Sequence, residues 1–309
     1  MKRDTQPGAD TDFELIERLS AESLEKIYRR EYGCDVSPYL EEVLEYREDR
    51  ASGLRYFYPA RAGRPEFYEK LDAFDWYYQG TKAEYARARG FTAGQSVLDI
   101  GCGEGHFALH ADAATYVGLE TNASAVKAGR SKGRDIREQS LHSFSAENPR
   151  AFDVACLFQV LEHVENPTEF LAEAGKCVKP GGLVFVSVPS ENSFVGQAVN
   201  NVLNMPPHHL TRWSNEALVN LADSLGYRAQ TPFHEVLDRI HVRWYLVVRL
   251  RWLMARLTRS PDRLIDKTPW DKRMTRIAEL MAPWLKPVIY PFRRWIRGHT
   301  VSIVMKVNL

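Results

Sequence analysis

The stretch Val97-Leu98-Asp99-Ile100-Gly101-Cys102-Gly103-Glu104-Gly105-His106-Phe107 constrains the fold of this chain more than any other. Apolar Val97, Leu98 and Ile100 suit a buried parallel strand covered on both faces. Gly101, Gly103 and Gly105 then let the backbone turn tightly and approach a ligand closely, and a helix is expected to follow. Asp99 falls at the end of the strand, where open α/β sheets bind their ligands. The spacing excludes the dinucleotide fingerprint Gly-x-Gly-x-x-Gly, whose third glycine would fall on His106. A glycine loop alone is also compatible with a turn that binds nothing, so its neighbours decide.

Those neighbours read as a doubly wound sheet. Thr115-Tyr116-Val117-Gly118-Leu119-Glu120 is a second strand ending in an acid. Glu120 lies about twenty residues past the glycine loop, where a carboxylate accepts hydrogen bonds from a ribose diol. A solvated loop acid is the plainer alternative. Asp135 to Leu141 is the best candidate for a third strand, and Phe152 to Phe158 is a clear fourth. Gln159-Val160-Leu161-Glu162-His163-Val164 follows it, then Asn166-Pro167 before a helix. Lys179-Pro180-Gly181-Gly182 turns into a fifth strand, Leu183 to Pro189.

The Asp-x-Gly-x-Gly-x-Gly loop, "FDVACLFQVLEHVENP" and "VKPGGLVFVSVP" occur in that order over roughly residues 90 to 190. Together they resemble the motifs of class I S-adenosylmethionine-dependent methyltransferases. "NMPPHHLTRWSNEALVNLADSLGY" resembles a segment of the branch related to ubiquinone-biosynthesis O-methyltransferases and methyltransferases of polysaccharide gene clusters. "FYEKLDAFDWYYQGTKAEYARARGF" is more loosely similar to what precedes the core in that branch. The resemblance implies an α/β fold, a doubly wound, Rossmann-like sheet of seven strands. Its last strand, here Thr300 to Val307, would be antiparallel and inserted between the fifth and sixth. The implied cofactor is S-adenosyl-L-methionine. The implied cofactor contacts are Asp99, Gly101, Cys102, Gly103, Gly105, His106, Phe107, Glu120, Thr121, Ser140, Leu141 and Gln159. For His106, packing is the alternative.

Four parts are expected. Residues 1–85 form an N-terminal extension, mainly helical from the spacing of Phe13, Ile16, Leu19, Leu24 and Ile27, and aromatic-rich. An aromatic tract includes Tyr56, Phe57, Tyr58, Phe67, Tyr68, Phe74, Trp76, Tyr77 and Tyr78. Residues 86–237 form the cofactor-binding core, with a sixth strand over Tyr227 to Val236. Ser214 reads as a helix N-cap and Gly226 as a stop just past that helix. Residues 238–298 form a helical insertion, and 299–309 the last strand.

The insertion is unusual in charge. The chain as a whole carries a formal +1, yet residues 239–298 hold fifteen Lys or Arg against four Asp or Glu, a net of +11. Five of the seven tryptophans lie there: Trp244, Trp252, Trp270, Trp284 and Trp295. Arginine beside tryptophan and aliphatic residues is the composition of an interfacial membrane helix. A helical lid packed on the core is the competing reading. Arg243, Arg249, Arg251 and Arg256 do not share one face, and Pro283, Pro287 and Pro291 argue against a long regular helix. Nucleic acid ranks lower as a partner, because no recognised binding motif accompanies the patch. The N-terminus lacks the apolar stretch of a secretory signal, and no apolar run is long enough for a span, so a cytoplasmic location is expected. Cys34, Cys102, Cys156 and Cys177 form no Cys-x-x-Cys pair, and buried thiols in a reducing compartment are expected.

The chemistry implied is methyl transfer from a sulfonium to a nucleophile. A hydroxyl acceptor needs a base near pH 7, for which histidine is the natural residue. His208 and His209, in a proline-stiffened loop expected over the donor, come first, and His163 second. No His, Cys and carboxylate spacing makes a strong metal signature, so no metal is expected. Two functions stand at this stage. One is O-methylation of a small-molecule, glycan or lipid-linked acceptor; the other is a binding or scaffold protein on a methyltransferase fold that has lost catalysis.

Overall fold

A computed structural model of the chain describes residues 12–72, 74 and 81–308. The N-terminal part is built as β1 (Phe13–Ser20), α1 (Ala21–Tyr32), β2 (Leu40–Asp49), β3 (Arg55–Ala60) and α2 (Pro65–Asp72). This corrects the expectation of a mainly helical extension, since β1, β2 and β3 form an antiparallel sheet. The three-residue spacing of Phe13, Ile16 and Leu19 mimics a helix. The aromatic run Tyr56-Phe57-Tyr58 and the alternation of buried Leu44 and Tyr46 favour strands, and sheet pairing prevails. Leu24, Ile27 and Tyr28 of α1 pack beneath the sheet with Leu44, Tyr46 and Phe57. Trp76, Tyr77 and Tyr78 lie outside the described residues.

The chain continues through α3 (Ala83–Thr92), β4 (Ser96–Ile100), β5 (Thr115–Glu120), α4 (Ala123–Ser131), β6 (Ile136–Glu138), α5 (Leu141–Glu147), β7 (Phe152–Phe158), α6 (Pro167–Lys176), β8 (Val178–Pro189), β9 (Thr211–Arg212), α7 (Asn215–Ser224), β10 (Arg228–Ala229), β11 (Phe233–Val236), α8 (Val242–Leu257), α9 (Pro269–Ile289) and β12 (Arg297–Lys306). All of these strands except β9 form a second sheet, in the order β10-β12-β8-β7-β4-β5-β6, with β11 also paired to β12. The pairs β4/β5, β5/β6, β4/β7 and β7/β8 are parallel, whereas β12 runs antiparallel between β8 and β10. This is the doubly wound methyltransferase arrangement. The direction of winding reverses between β4 and β7, and such a reversal opens a crevice at the carboxyl ends of the strands. The expected sixth strand is split into β10 and β11 around Pro232, which has no N–H to give a ladder. β9 leaves this sheet and pairs with β3, tying the residue 200–212 segment to the N-terminal sheet.

Val97, Leu98, Leu157, Val186 and Ile303 are fully or almost fully buried between helical layers, as the near-continuous apolar strands require. On one face Phe107 packs with Tyr85 and Phe158, ring centroids 5.1 and 4.6 Å away. α7 is capped by Ser214, whose hydroxyl accepts from the Ala217 N–H at 3.0 Å, and Gly226 just past the helix has φ 69°.

The insertion is a hairpin of α8 and α9. α9 runs through Pro283 and Pro287, contrary to the expectation that these prolines forbid a long helix. Each removes one hydrogen bond, but Glu279 and both prolines lie on the exposed side, where water satisfies the freed carbonyls.

Candidate active site

The glycine loop runs from the carboxyl end of β4. Gly101, Gly103 and Gly105 have φ of 68°, 54° and 75°, a left-handed region that side chains disfavour. A Cβ on Gly101 would also stand 2.6 Å from Val160 Cγ2, so the turn after β7 packs directly on this loop. The backbone after Gly105 forms a short 3-10 turn, His106–Leu109, in place of the expected helix.

Glu120, at the end of β5, reaches across to the loop. Its carboxylate accepts from the backbone N–H groups of Gly103, Thr121 and Asn122 at 2.9, 2.7 and 2.8 Å. A carboxylate has about four lone-pair sites, so a further donor such as a ribose hydroxyl still finds an acceptor. Asp99 is 2% exposed and accepts from the Tyr116 hydroxyl at 2.6 Å. Burial pushes its carboxyl up to about 7, against the pull of that hydroxyl. Ser140 caps α5 at the end of β6, with Leu141 buried beside it. These residues share one edge of the sheet.

Other expected contacts are placed differently. Phe107 is fully buried in the aromatic core, so its side chain serves packing and offers no face to a ligand. Cys102 points its sulfur at Gly118, where a Cβ would meet it at 2.5 Å. His106 lies 3.4 Å from Glu104, which also pairs with Lys132. Gln159 ends β7 with φ 60°, a conformation costly for a side-chain-bearing residue and held by its N–H to the Ser187 carbonyl at 2.8 Å. Its amide lies 3.4 Å from both Glu84 Oε1 and Thr300 Oγ1.

All three expected base residues come together. The His163 ring centroid lies 4.7 Å from those of His208 and His209, which stack on each other at 4.4 Å. His163 Nδ1 meets the His208 carbonyl at 2.6 Å, His208 Nδ1 the Leu203 carbonyl at 2.8 Å, and His209 Nδ1 the Asn204 side-chain oxygen at 2.9 Å. Burial depresses His163 to about 4 and holds His208 and His209 well below the ordinary imidazole range. The rings are therefore neutral near pH 7.

Sequence reasoning missed Glu162. It is 1% exposed, with Oε1 4.0 Å from His163 Nε2 and 3.9 Å from His209 Nε2. Neither carboxylate oxygen has a hydrogen-bond partner among the described residues. Burial pushes this carboxyl up to about 8. Its place in "QVLEHV", an acid one turn past a buried strand, was the available signal. Glu84, buried at the start of α3 near Gln159, gave none.

With this geometry in place, the comparisons with known proteins are direct. The family model of the methyltransferase domain matches residues 13–231. The ubiquinone biosynthesis O-methyltransferase of Thiobacillus denitrificans is 36% identical over 109 residues, 33% of this chain and 47% of that one. The match thus spans about half the length of that relative. A protein of Mycolicibacterium smegmatis, named as a probable S-adenosylmethionine-dependent methyltransferase, is 28% identical over 205 residues, 65% of this chain and 76% of that one. Among solved structures, a methyltransferase in complex with the Trm112 methyltransferase activator, from Haloferax volcanii, shares the fold at 15% identity. Its TM-score is 0.51, over 74% of this chain and 90% of that one. The chain belongs to the methyltransferase-domain family. Within it the chain is of the class I S-adenosylmethionine-dependent type, related to the ubiquinone-biosynthesis branch, and its cofactor is S-adenosyl-L-methionine.

Proposed function

We propose that the chain catalyses O-methylation of a small-molecule, glycan or lipid-linked acceptor, with a histidine of the 163–208–209 cluster receiving the hydroxyl proton. The observation that carries this reading is the cluster of neutral imidazoles that His163, on the turn packing against the glycine loop, makes with His208 and His209 of the segment before β9. When bound, the cofactor supplies a methyl on a positively charged sulfur, already a good leaving group. The protein's share is to position. The glycine loop and Glu120 fix the donor, with Asp99, Thr121, Ser140, Leu141 and Gln159 along the same edge. Holding donor and acceptor in line contributes on the order of 7–11 kcal/mol at best. A neutral His209 or His208 accepts the proton as the oxygen attacks.

The test begins with calorimetric titration of the donor and its demethylated product. Glu120→Ala weakens both roughly tenfold or more, as expected for a charged hydrogen bond of about 1.5–3 kcal/mol. With quinols, glycans and lipid-linked glycans as acceptors, His209→Ala lowers turnover by about 10²–10⁴ and leaves donor affinity nearly intact. A chain that binds donor but methylates nothing in such a panel is the scaffold alternative.

The hairpin supports a place of work for this reaction. The buried stripe of α9, Met274, Ala278 and Ala282, faces inward, α8 lies alongside it, and an opposite stripe of Ile277, Leu280, Trp284 and Val288 stays exposed beside Lys272, Arg273, Arg276 and Lys286. No helix among the described residues is long and apolar enough to cross a membrane. We propose that this outer face rests on an anionic membrane surface and brings the enzyme to an amphipathic acceptor.

A further inference from the structure

The hairpin of α8 and α9 holds a groove of about 310 Å³, walled by Leu246, Leu250 and Leu253 of α8 and by Leu285, Val288 and Ile289 of α9. That volume is at the small end for ligand sites, which run from roughly 300 to 1,000 Å³, and it suits a stretch of one hydrocarbon chain. Arg249 and Trp252 line the groove as well. The guanidinium groups of Arg249 and Arg256 each stand 4.8 Å from the Trp252 ring centroid, so two cations share one indole beside the apolar walls. Arg251, between them in sequence, pairs with Asp271 inside the hairpin. Arg249 and Arg256 have no carboxylate partner among the described residues, and Arg249 donates to the neutral side-chain oxygen of Gln197 at 2.7 Å. A guanidinium has five N–H donors, so several remain for an anion.

We infer that this groove takes the lipid end of a lipid-linked acceptor: one hydrocarbon chain lies between the helices, and Arg249 and Arg256 meet the phosphate at its head. Each half of the site asks for half of that ligand. Apolar walls gain by removing a chain from water. Unpaired guanidinium groups gain by meeting an anion, and their planar fork fits phosphate oxygens two at a time. An uncharged chain leaves the cations unused, and a free sugar phosphate leaves the walls wet. Val288 belongs both to the groove and to the exposed stripe of α9, so a chain can pass from a lipid surface into the groove. Gln197, the partner of Arg249, ends the 3-10 turn Phe194–Gln197, which follows β8 at the carboxyl edge of the sheet. Arg212, three residues past His209, reaches the Gly196 carbonyl of the same turn at 3.4 Å. One turn therefore joins the groove to the histidine segment, a connection that suits an acceptor and that a bulk membrane lipid would not need. The inference rests on the proposed methyl transfer for the ligand's being an acceptor, and not for the binding itself. It narrows the acceptor to the class that carries both a chain and a phosphate.

The experiment titrates the whole chain calorimetrically with decyl phosphate, octyl phosphate and decyl maltoside, each below its micelle concentration. The expected result is one saturable site for decyl phosphate. Octyl phosphate binds about tenfold more weakly, since each buried methylene is worth about fourfold. Uncharged decyl maltoside binds at least about tenfold more weakly, for want of the charged contact. Arg249→Gln weakens decyl phosphate about tenfold or more and leaves decyl maltoside within about twofold. Leu253→Asp, at a position 49% exposed where a charge is tolerated, weakens both. Binding of the demethylated product by each variant verifies the fold. The inference is overturned if decyl maltoside binds as tightly as decyl phosphate, if both variants keep the parental affinity, or if decyl phosphate associates only as micelles. Displacement of decyl phosphate by dihexanoyl phosphatidylglycerol, a soluble two-chain membrane lipid, would assign the groove to bulk lipid and overturn it too. Donor binding without decyl phosphate binding removes the groove alone. Decyl phosphate binding by a chain that binds no donor would instead sink the methyl-transfer reading, and with it the acceptor, and leave a lipid site.

Discussion

Trp213 and Trp284 mark two regions built by opposite rules. Trp213 is 0% exposed, wedged in the main core with its indole N–H donated to Thr211 Oγ1 at 3.0 Å. Trp284 is 83% exposed on α9, with Trp295 at 79% nearby. In the first region apolar area is removed from water and polar groups find partners, and that is how a sheet edge becomes a fixed cofactor platform. In the second, apolar area is held in water by a helix anchored on its other side. Single exposed apolar residues are ordinary, but a stripe of them rimmed by basic side chains marks a surface for a partner. The lid and interface readings of the basic segment are thus compatible. α8 packs on Phe194, Val195 and Ala198 after β8 and covers that loop, while α9 presents its outer face.

The sharpest way to break this comparison is at the anchor. Arg251 and Asp271, 7% and 2% exposed, pair at 2.6 Å and join α8 to α9. Asp271 also accepts from Asn200 at 3.2 Å. Arg251→Ala leaves the buried Asp271 carboxylate without its cation, with the Asn200 amide remaining, and is expected to cost about 3–5 kcal/mol in denaturant unfolding. If the hairpin is a separate device, donor affinity of the folded variant stays within about twofold of the parent by calorimetry. A parallel loss of donor affinity would show that the hairpin helps form the cofactor site.

The complementary cut is in the platform. Gly101→Val places a branched side chain at φ 68° and into Val160, 2.6 Å from its Cγ2. Strain of this kind costs about 1–3 kcal/mol. Because the Val160 turn leads into His163, donor affinity is expected to fall by more than about tenfold, while vesicle binding through α9 is unchanged. Equal donor affinity in a folded Gly101→Val chain would remove the loop from the cofactor site.

What the sequence disclosed follows the same division. The strands β4, β5, β7 and β8 were legible because parallel strands inside a covered sheet are rich in apolar runs, and because glycine and acid positions at their ends are tied to backbone geometry; β12 is antiparallel but was legible from an equally buried apolar run. The N-terminal sheet was not: its register depends on packing against α1 and on β9, about 150 residues later in the chain. The histidines were legible as residue types, and their convergence was not, since it depends on the path from Leu203 to Leu210. Glu162 had only its place one turn past a buried strand as a signal, and its own burial shows only in the structure. Arg251 looked like one more basic residue of the insertion. Its pairing with Asp271 is internal to the hairpin and adds nothing to the net +11, and only structure separates this arginine from the outward ones.

The smallest effect tests the outward face. Leu280 and Trp284 are 66% and 83% exposed, and neither belongs to the apolar cluster that holds the hairpin. Replacing both with Ser should change folding stability by no more than about 0.5 kcal/mol, as for surface positions without partners. If α9 meets a membrane, the same change removes the part that inserts, while the basic side chains still supply about 1 kcal/mol each near an anionic leaflet. The double variant should then float with anionic vesicles at low salt but be released at a lower salt concentration than the parent, because attraction that relies on charge is screened over about 8 Å at physiological ionic strength. Neutral vesicles should retain neither protein well. A parent chain absent from the anionic fraction at low salt rejects the membrane surface, and a double variant with the parent's salt profile shows that the exposed stripe does not insert.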